Sequence, residues 1–122
     1  MQNQSFPTVD PQTIERWQQD GVVLLKGAFT PWVDSLAEGV AALMADPSEY
    51  GHARTVIPKD GSAPFFQDYC NWQRIPEFKA FVFESRAAEI AAALMGSRTA
   101  AFFHEHVLVK QAGGSTVTPW HH

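Results

Sequence analysis

The stretch FFHEHVLVK, residues 102–110, decides how this chain is read. Successive side chains of an extended strand point to opposite sides, so Phe102, His104, His106, Leu108 and Lys110 would share one face. Phe103, Glu105, Val107 and Val109 would share the other. A strand is therefore expected over AAFFHEHVLVK, residues 100–110. A face that mixes two imidazoles and an ammonium with apolar side chains is costly to bury without polar partners. Something polar is thus expected against it, with His104, His106 and Lys110 all turned that way. Glu105, on the opposite face, is expected to be solvated or to pair across strands.

Working back from this strand, punctuation marks the helices. Asp10 and Pro11 suit an N-cap and first helical residue, Ile14 and Trp17 share a face, and Gly21 stops the helix. The run GVVLLKGAF, residues 21–29, is aliphatic, β-branched and bounded by glycines, which suits a buried strand. Thr30 and Pro31 repeat the capping pattern before an amphipathic helix carrying Val33, Leu36, Ala37, Val40 and Leu43 and ending near Met44. Residues 45–64 are rich in Pro, Gly, Ser and Asp and read as a long loop. Phe65, Phe66, Tyr69 and Trp72 form an aromatic cluster whose default place is the core, with a pocket mouth as the alternative. Pro76 opens a short helix. Ser85 is expected to cap another, in which Ala87, Ile90, Ala91, Leu94 and Met95 form a stripe against the sheet and Gly96 ends the run.

Composition bounds the function. A chain of 122 residues, 45% of them hydrophobic, has enough apolar material for one packed domain. Its nine Lys and Arg are scattered singly and the net charge is -4, which argues against nucleic acid or an anionic membrane as partner. The single cysteine, Cys70, leaves no internal disulfide and no Cys-based zinc site, and is expected to be a reduced, buried thiol. The N-terminal stretch has neither a cationic nor an apolar region, and no 18-residue apolar run occurs, so a cytoplasmic location is expected.

Beyond Lys110 the glycine-containing link QAGGSTVTP, residues 111–119, leads to Trp120, His121 and His122. Taken alone, two terminal histidines would read as a surface turn or the stub of a purification tag. In context the chain resembles the phytanoyl-CoA dioxygenase family of iron(II)- and 2-oxoglutarate-dependent oxygenases. A capped helix, GVVLLKGAF, NWQRIPEFKAFVFESRAAEIAAALMG, FFHEHVLVK and TPWHH follow one another in the family's order. The most specific pair is HVLVK and TPWHH: in the family a strand ending in Lys leads through a variable loop to Trp-His-x-Asp.

The resemblance implies an α+β fold in which N-terminal helices precede the first strands of a double-stranded β-helix, a cupin-like jelly roll that is incomplete here. It implies Fe(II) as cofactor, 2-oxoglutarate as cosubstrate, and hydroxylation of an aliphatic carbon of a small molecule or acyl substrate. His121 becomes the first iron ligand and His122 the x. Such enzymes hold iron by two His and one carboxylate on one face of the metal. A His and an Asp two apart on a strand point the same way, so one stretch supplies two ligands. The Asp would fall at position 123, where halogenating relatives carry a small residue, and the second His would come later still. The chain is therefore expected to be the N-terminal half of a protein roughly twice as long, inactive by itself.

His106 is implied to touch 2-oxoglutarate and Lys110 to meet its carboxylate. The plainer readings are a packing histidine and a lysine snorkelling at a strand end. Relatives often carry a cosubstrate-binding Lys in the segment corresponding to 65–73, where this chain offers only Gln67, Asn71 and Gln73. Two further readings stand beside the oxygenase. His104, His106 and His121 could bind a divalent ion through imidazoles alone, or the chain could be a non-catalytic interaction module. Unpaired strand edges would favour self-association in either case.

Overall fold

The computed structural model describes residues 9–121, so His122, the expected x of the motif, lies outside the described residues. Helix α1 is Pro11–Asp20. The Asp10 carboxylate accepts from the Thr13 N–H at 2.7 Å, Pro11 occupies the first turn, and Gly21 closes the helix at φ 70°. Each of these signals was legible in the sequence because each acts through neighbouring backbone.

Residues 21–29 do not form the expected buried strand. Val22 and Leu24 are 69% and 84% exposed, and the run ends in hydrogen-bonded turns, Leu25 O to Ala28 N and Gly27 O to Thr30 N. An aliphatic run becomes a strand only where a neighbour takes up its N–H and C=O groups, and among the described residues no strand lies beside it. A single 3-10 turn, Thr30–Trp32, leads into α2, Val33–Ala45, without a side-chain cap from Thr30. Midway along α2 stands Gly39, against which the Phe78 ring packs so closely that a Cβ would lie 2.7 Å from Phe78 Cε1.

The expected loop over 45–64 contains a helix, α3, Glu49–Arg54. Ser48 caps it, its Oγ accepting from the N–H groups of Tyr50 and Gly51 at 3.2 and 3.4 Å. Six residues are too few to display a helical period, and that is why composition hid the element. Strand β1, Phe65–Tyr69, pairs antiparallel with β2, His106–Lys110. The register sets Phe65 opposite Lys110, Gln67 opposite Leu108 and Tyr69 opposite His106. The observed strand thus starts at His106 rather than at residue 100, and Val56 adds one antiparallel bridge to Phe65.

Helix α4, Pro76–Glu84, opens at its proline as expected, and α5 is Ala87–Met95. Ser85 lies one residue before the α5 N-cap, Arg86, and accepts from the Ala87 N–H at 3.3 Å. Ile90 is buried, but α5 lies against α1 and α4 instead of the sheet, and Met95 is exposed. The core gathers Leu43, Phe66, Ile75 and Phe78, with Leu36, Val40, Met44, Trp72, Val107 and Val109 around it. The architecture is α+β, with α2 and α4 packed on the core face of a two-stranded antiparallel sheet and α3 against β1. No helix among the described residues is long and apolar enough to cross a membrane.

Candidate functional site

The sheet has two chemically different faces, and alternation produces both. Phe66, Val107 and Val109 join the core, while the other face carries Phe65, Gln67 and Tyr69 from β1 and His106, Leu108 and Lys110 from β2. This second face is largely uncovered, Leu108 being 53% exposed. The segment from Thr116 to His121 runs beside it, and the two enclose an open groove of about 360 Å3. Gln67, His106 and His121 supply polar lining, and Val56, Leu108 and Val117 supply apolar wall.

His121 is oriented by its own chain. Its Nδ1 lies 2.8 Å from Pro119 O, and since a carbonyl can only accept, that bond requires the proton on Nδ1. In the neutral ring Nε2 is then the nitrogen without a proton, the form in which imidazole ligates a metal. His106 meets the Tyr69 ring edge-on with ring centroids 5.3 Å apart, and Tyr69 stacks on Tyr50 of α3 at 4.6 Å. His104 lies before the strand, packed against Phe103 and near Tyr69, and is not among the groove-lining residues. Lys110 holds its Nζ 4.8 Å from the centroid of the Phe65 ring, beyond the end of the groove.

Among the described residues no three His, Cys, Asp or Glu side chains come together as a metal site. The all-imidazole arrangement of His104, His106 and His121 is therefore not assembled. What the groove brings together is one imidazole with a free Nε2, a second imidazole, and an amide.

A family model described as phytanoyl-CoA dioxygenase (PhyH) matches residues 17–122. The chain belongs to this family. No curated protein and no solved structure matches it.

In this phytanoyl-CoA dioxygenase family chain, the groove face is positioned from below by a buried polar network. Asp68 has no exposed surface, and its carboxylate accepts from Ser48 N at 2.8 Å, Ser48 Oγ at 2.5 Å, Tyr69 N at 2.8 Å and Asn71 Nδ2 at 2.9 Å. Burial pushes the Asp68 pKa up, but the donors of Ser48, Asn71 and Tyr69 together outweigh it, and the carboxyl sits below its ordinary range. Asp68 thereby ties the N-terminus of α3 to β1. Gln67 completes the tie on the groove side, its Nε2 donating to Arg54 O at 3.3 Å.

Glu105, half-buried, bonds across to the residues that follow β1, in line with the cross-strand expectation. Its carboxylate accepts from the N–H groups of Asn71 and Trp72, and its carbonyl accepts from Cys70 N at 3.2 Å, so it holds the turn leaving β1. Asn71, one of the uncharged cosubstrate candidates, is 2% exposed with its amide committed to Asp68, Tyr69 O and Arg74. Of Gln67, Asn71 and Gln73, only Gln67 lines the groove. Cys70 is exposed rather than buried and adopts φ 63°. Phe66 is buried in the core, in line with the core reading of the aromatic cluster, whereas Phe65, also buried, lines the groove.

Sequence reasoning passed over Ser48, Asp68, Asp60 and Ser115. Ser48 carried a readable signal, a capping residue just after Pro47 with Glu49 in the first turn. The long-range ties of Asp68 and Asp60 left no such signal, because these partners, Ser48 and Ser115, lie 20 and 55 residues away.

Proposed function

We propose that this chain contributes the first part of an Fe(II)- and 2-oxoglutarate-dependent dioxygenase site, and that His121 is its first iron ligand. The observation that carries the reading is the His121 imidazole, held by Pro119 O in the tautomer that leaves Nε2 free, at the rim of a groove also lined by His106 and Gln67. Family membership supports the same assignment. When bound, iron would supply the oxidising centre for hydroxylating an aliphatic carbon of a small molecule or acyl substrate with O2 and 2-oxoglutarate.

The residues of this chain have distinct tasks in that reading. His106 and Gln67 offer hydrogen bonds to a cosubstrate oxygen, and Leu108, Val56 and Val117 offer apolar contact to its carbon chain. Lys110 stands four residues beyond His106, about 13 Å along the strand. It reaches a carboxylate in the groove only by swinging off the Phe65 ring. The uncovered sheet face and the lone family ligand support a larger barrel, a jelly roll whose further strands cover this face and bring the missing carboxylate and imidazole.

Anaerobic Fe(II) titration of the chain and of its His121→Ala variant tests the proposal. Weak binding that His121→Ala weakens further is the expected result, with no succinate formed from 2-oxoglutarate by this chain. Stoichiometric iron with succinate formation would overturn the incomplete site, and unchanged affinity in His121→Ala would overturn the ligand. A second reading, a non-catalytic interaction module, is favoured by the exposure of Leu108 and Val117, which line the same groove. Concentration-dependent sedimentation abolished by Leu108→Glu, with no Fe(II) binding, would select it.

A further inference from the structure

The segment from Thr116 to His121 reaches the groove without any sheet hydrogen bond of its own, so something else must hold it in place. The backbone contacts are few: Ala63 N donates to Gly113 O at 3.4 Å and Gly114 N to Gln111 O at 3.1 Å. The side-chain contacts are stronger and converge on one carboxylate. Ser115 Oγ donates to Asp60 Oδ2 at 3.0 Å, while Ser62 N donates to Asp60 Oδ1 at 2.9 Å. The hydroxyls of Ser62 and Ser115 lie 2.7 Å apart. Bonds to an ionised carboxylate are roughly twice as strong as neutral ones. The donors from Ser62 and Ser115 hold Asp60 below its ordinary pKa, in keeping with a carboxylate that stays ionised.

We propose that Asp60 is a positioning residue, which through Ser115 clasps the loop after β2 to the loop before β1 and so places His121 at the groove. The proposal rests on the reading of His121 as a metal ligand. The clasp joins residues 55 apart in sequence, directly upstream of the segment that must travel along the groove. The two loops also meet there, since a Cβ at position 114 would lie 3.4 Å from Ala63 O, in ordinary contact, and 3.1 Å from Gln111 O of its own loop. From Ser115 to His121 the chain spans only six residues, so an error at the clasp is carried to the imidazole. The bond that His121 itself makes, to Pro119 O, is local.

The test is made on the whole chain with Asp60→Ala, Ser115→Ala and, as the conservative control, Ser115→Thr, which keeps the hydroxyl. Amide exchange at Ala63 and Gly114, followed by NMR, should rise about tenfold in both alanine variants and return toward the original rate in Ser115→Thr. Amides of the β1 and β2 ladder should keep their rates, which separates a local clasp from general unfolding. Anaerobic Fe(II) affinity is then compared in a cycle of Asp60→Ala, His121→Ala and the double variant. Positioning predicts that Asp60→Ala weakens Fe(II) about tenfold when His121 is present and has no effect when it is absent. Unchanged exchange at Ala63 and Gly114, or an equal loss of Fe(II) affinity in the His121→Ala background, overturns the proposal. Unchanged Fe(II) affinity in His121→Ala alone overturns the ligand reading instead, and the clasp is then judged by amide exchange on the same criterion.

Discussion

Gly51 lies so close to Asp68 that a Cβ at position 51 would sit 2.5 Å from the Asp68 Oδ2 atom and 2.8 Å from Pro47 Cβ. The carboxylate has nowhere to retreat, because Ser48, Tyr69 and Asn71 grip it from three sides. Gly51→Ala should therefore cost about 2 kcal/mol, in the range of overpacked interiors, although alanine is intrinsically the better helix former. Urea unfolding measures it. A midpoint equal to or above that of the unmodified chain would mean that α3 moves off β1 without loss.

Asp68 also makes stability depend on pH. Its carboxyl is depressed in the folded state, so its contribution is fully present above the unfolded-state pKa of about 3.9 and is lost as pH falls through the lower folded value. The unmodified chain should lose stability below about pH 4 for this reason. Asp68→Asn should be less stable by about 1–3 kcal/mol at neutral pH, with the gap closing as the pH drops. Unfolding curves at several pH values, compared between the two proteins, check both the size and the sign.

Glu105 caps the turn at Asn71 and Trp72 from a strand face that alternation alone would leave to packing. Glu105→Ala strands two part-buried N–H groups and should cost about 1–3 kcal/mol, and Glu105→Gln, which keeps one acceptor oxygen, should recover part of it. Trp72 packs edge-on to Phe102 at 5.7 Å, so its fluorescence reports the same change. Equal stability of all three proteins would show that water satisfies the turn as well as the carboxylate does.

The aliphatic run at 21–29 offers a contrast with the core. Leu24→Gln should change stability by no more than about 0.5 kcal/mol, as expected for an exposed side chain. Leu43→Ala, at a fully buried position in contact with the α4 side of the core, should cost about 2–5 kcal/mol. Thermal unfolding of the two variants decides it. A large loss in Leu24→Gln would restore the buried-strand reading of this run.

What the sequence determined by itself was local. Asp10, Pro11 and Gly21 bound α1, Pro76 opens α4, Gly96 ends α5, and alternation in HVLVK sorts Val107 and Val109 from His106, Leu108 and Lys110, because each signal acts within a turn or a pleat. The family was readable for a different reason: the order of its segments, from GVVLLKGAF to TPWHH, follows a pattern that the family model matches over residues 17–122. The tertiary structure decided everything that depends on a distant partner. Residues 21–29 had the composition of a strand but, among the described residues, no neighbouring strand to complete its hydrogen bonds, and Glu49–Arg54 became a helix through a cap that Asp68 anchors from another element. Glu105 and Asp60 took their roles from N–H and hydroxyl groups more than thirty residues away. Hydrogen bonds between remote segments leave no periodic trace in a sequence, since what selects them is the position of the backbone once the core has closed.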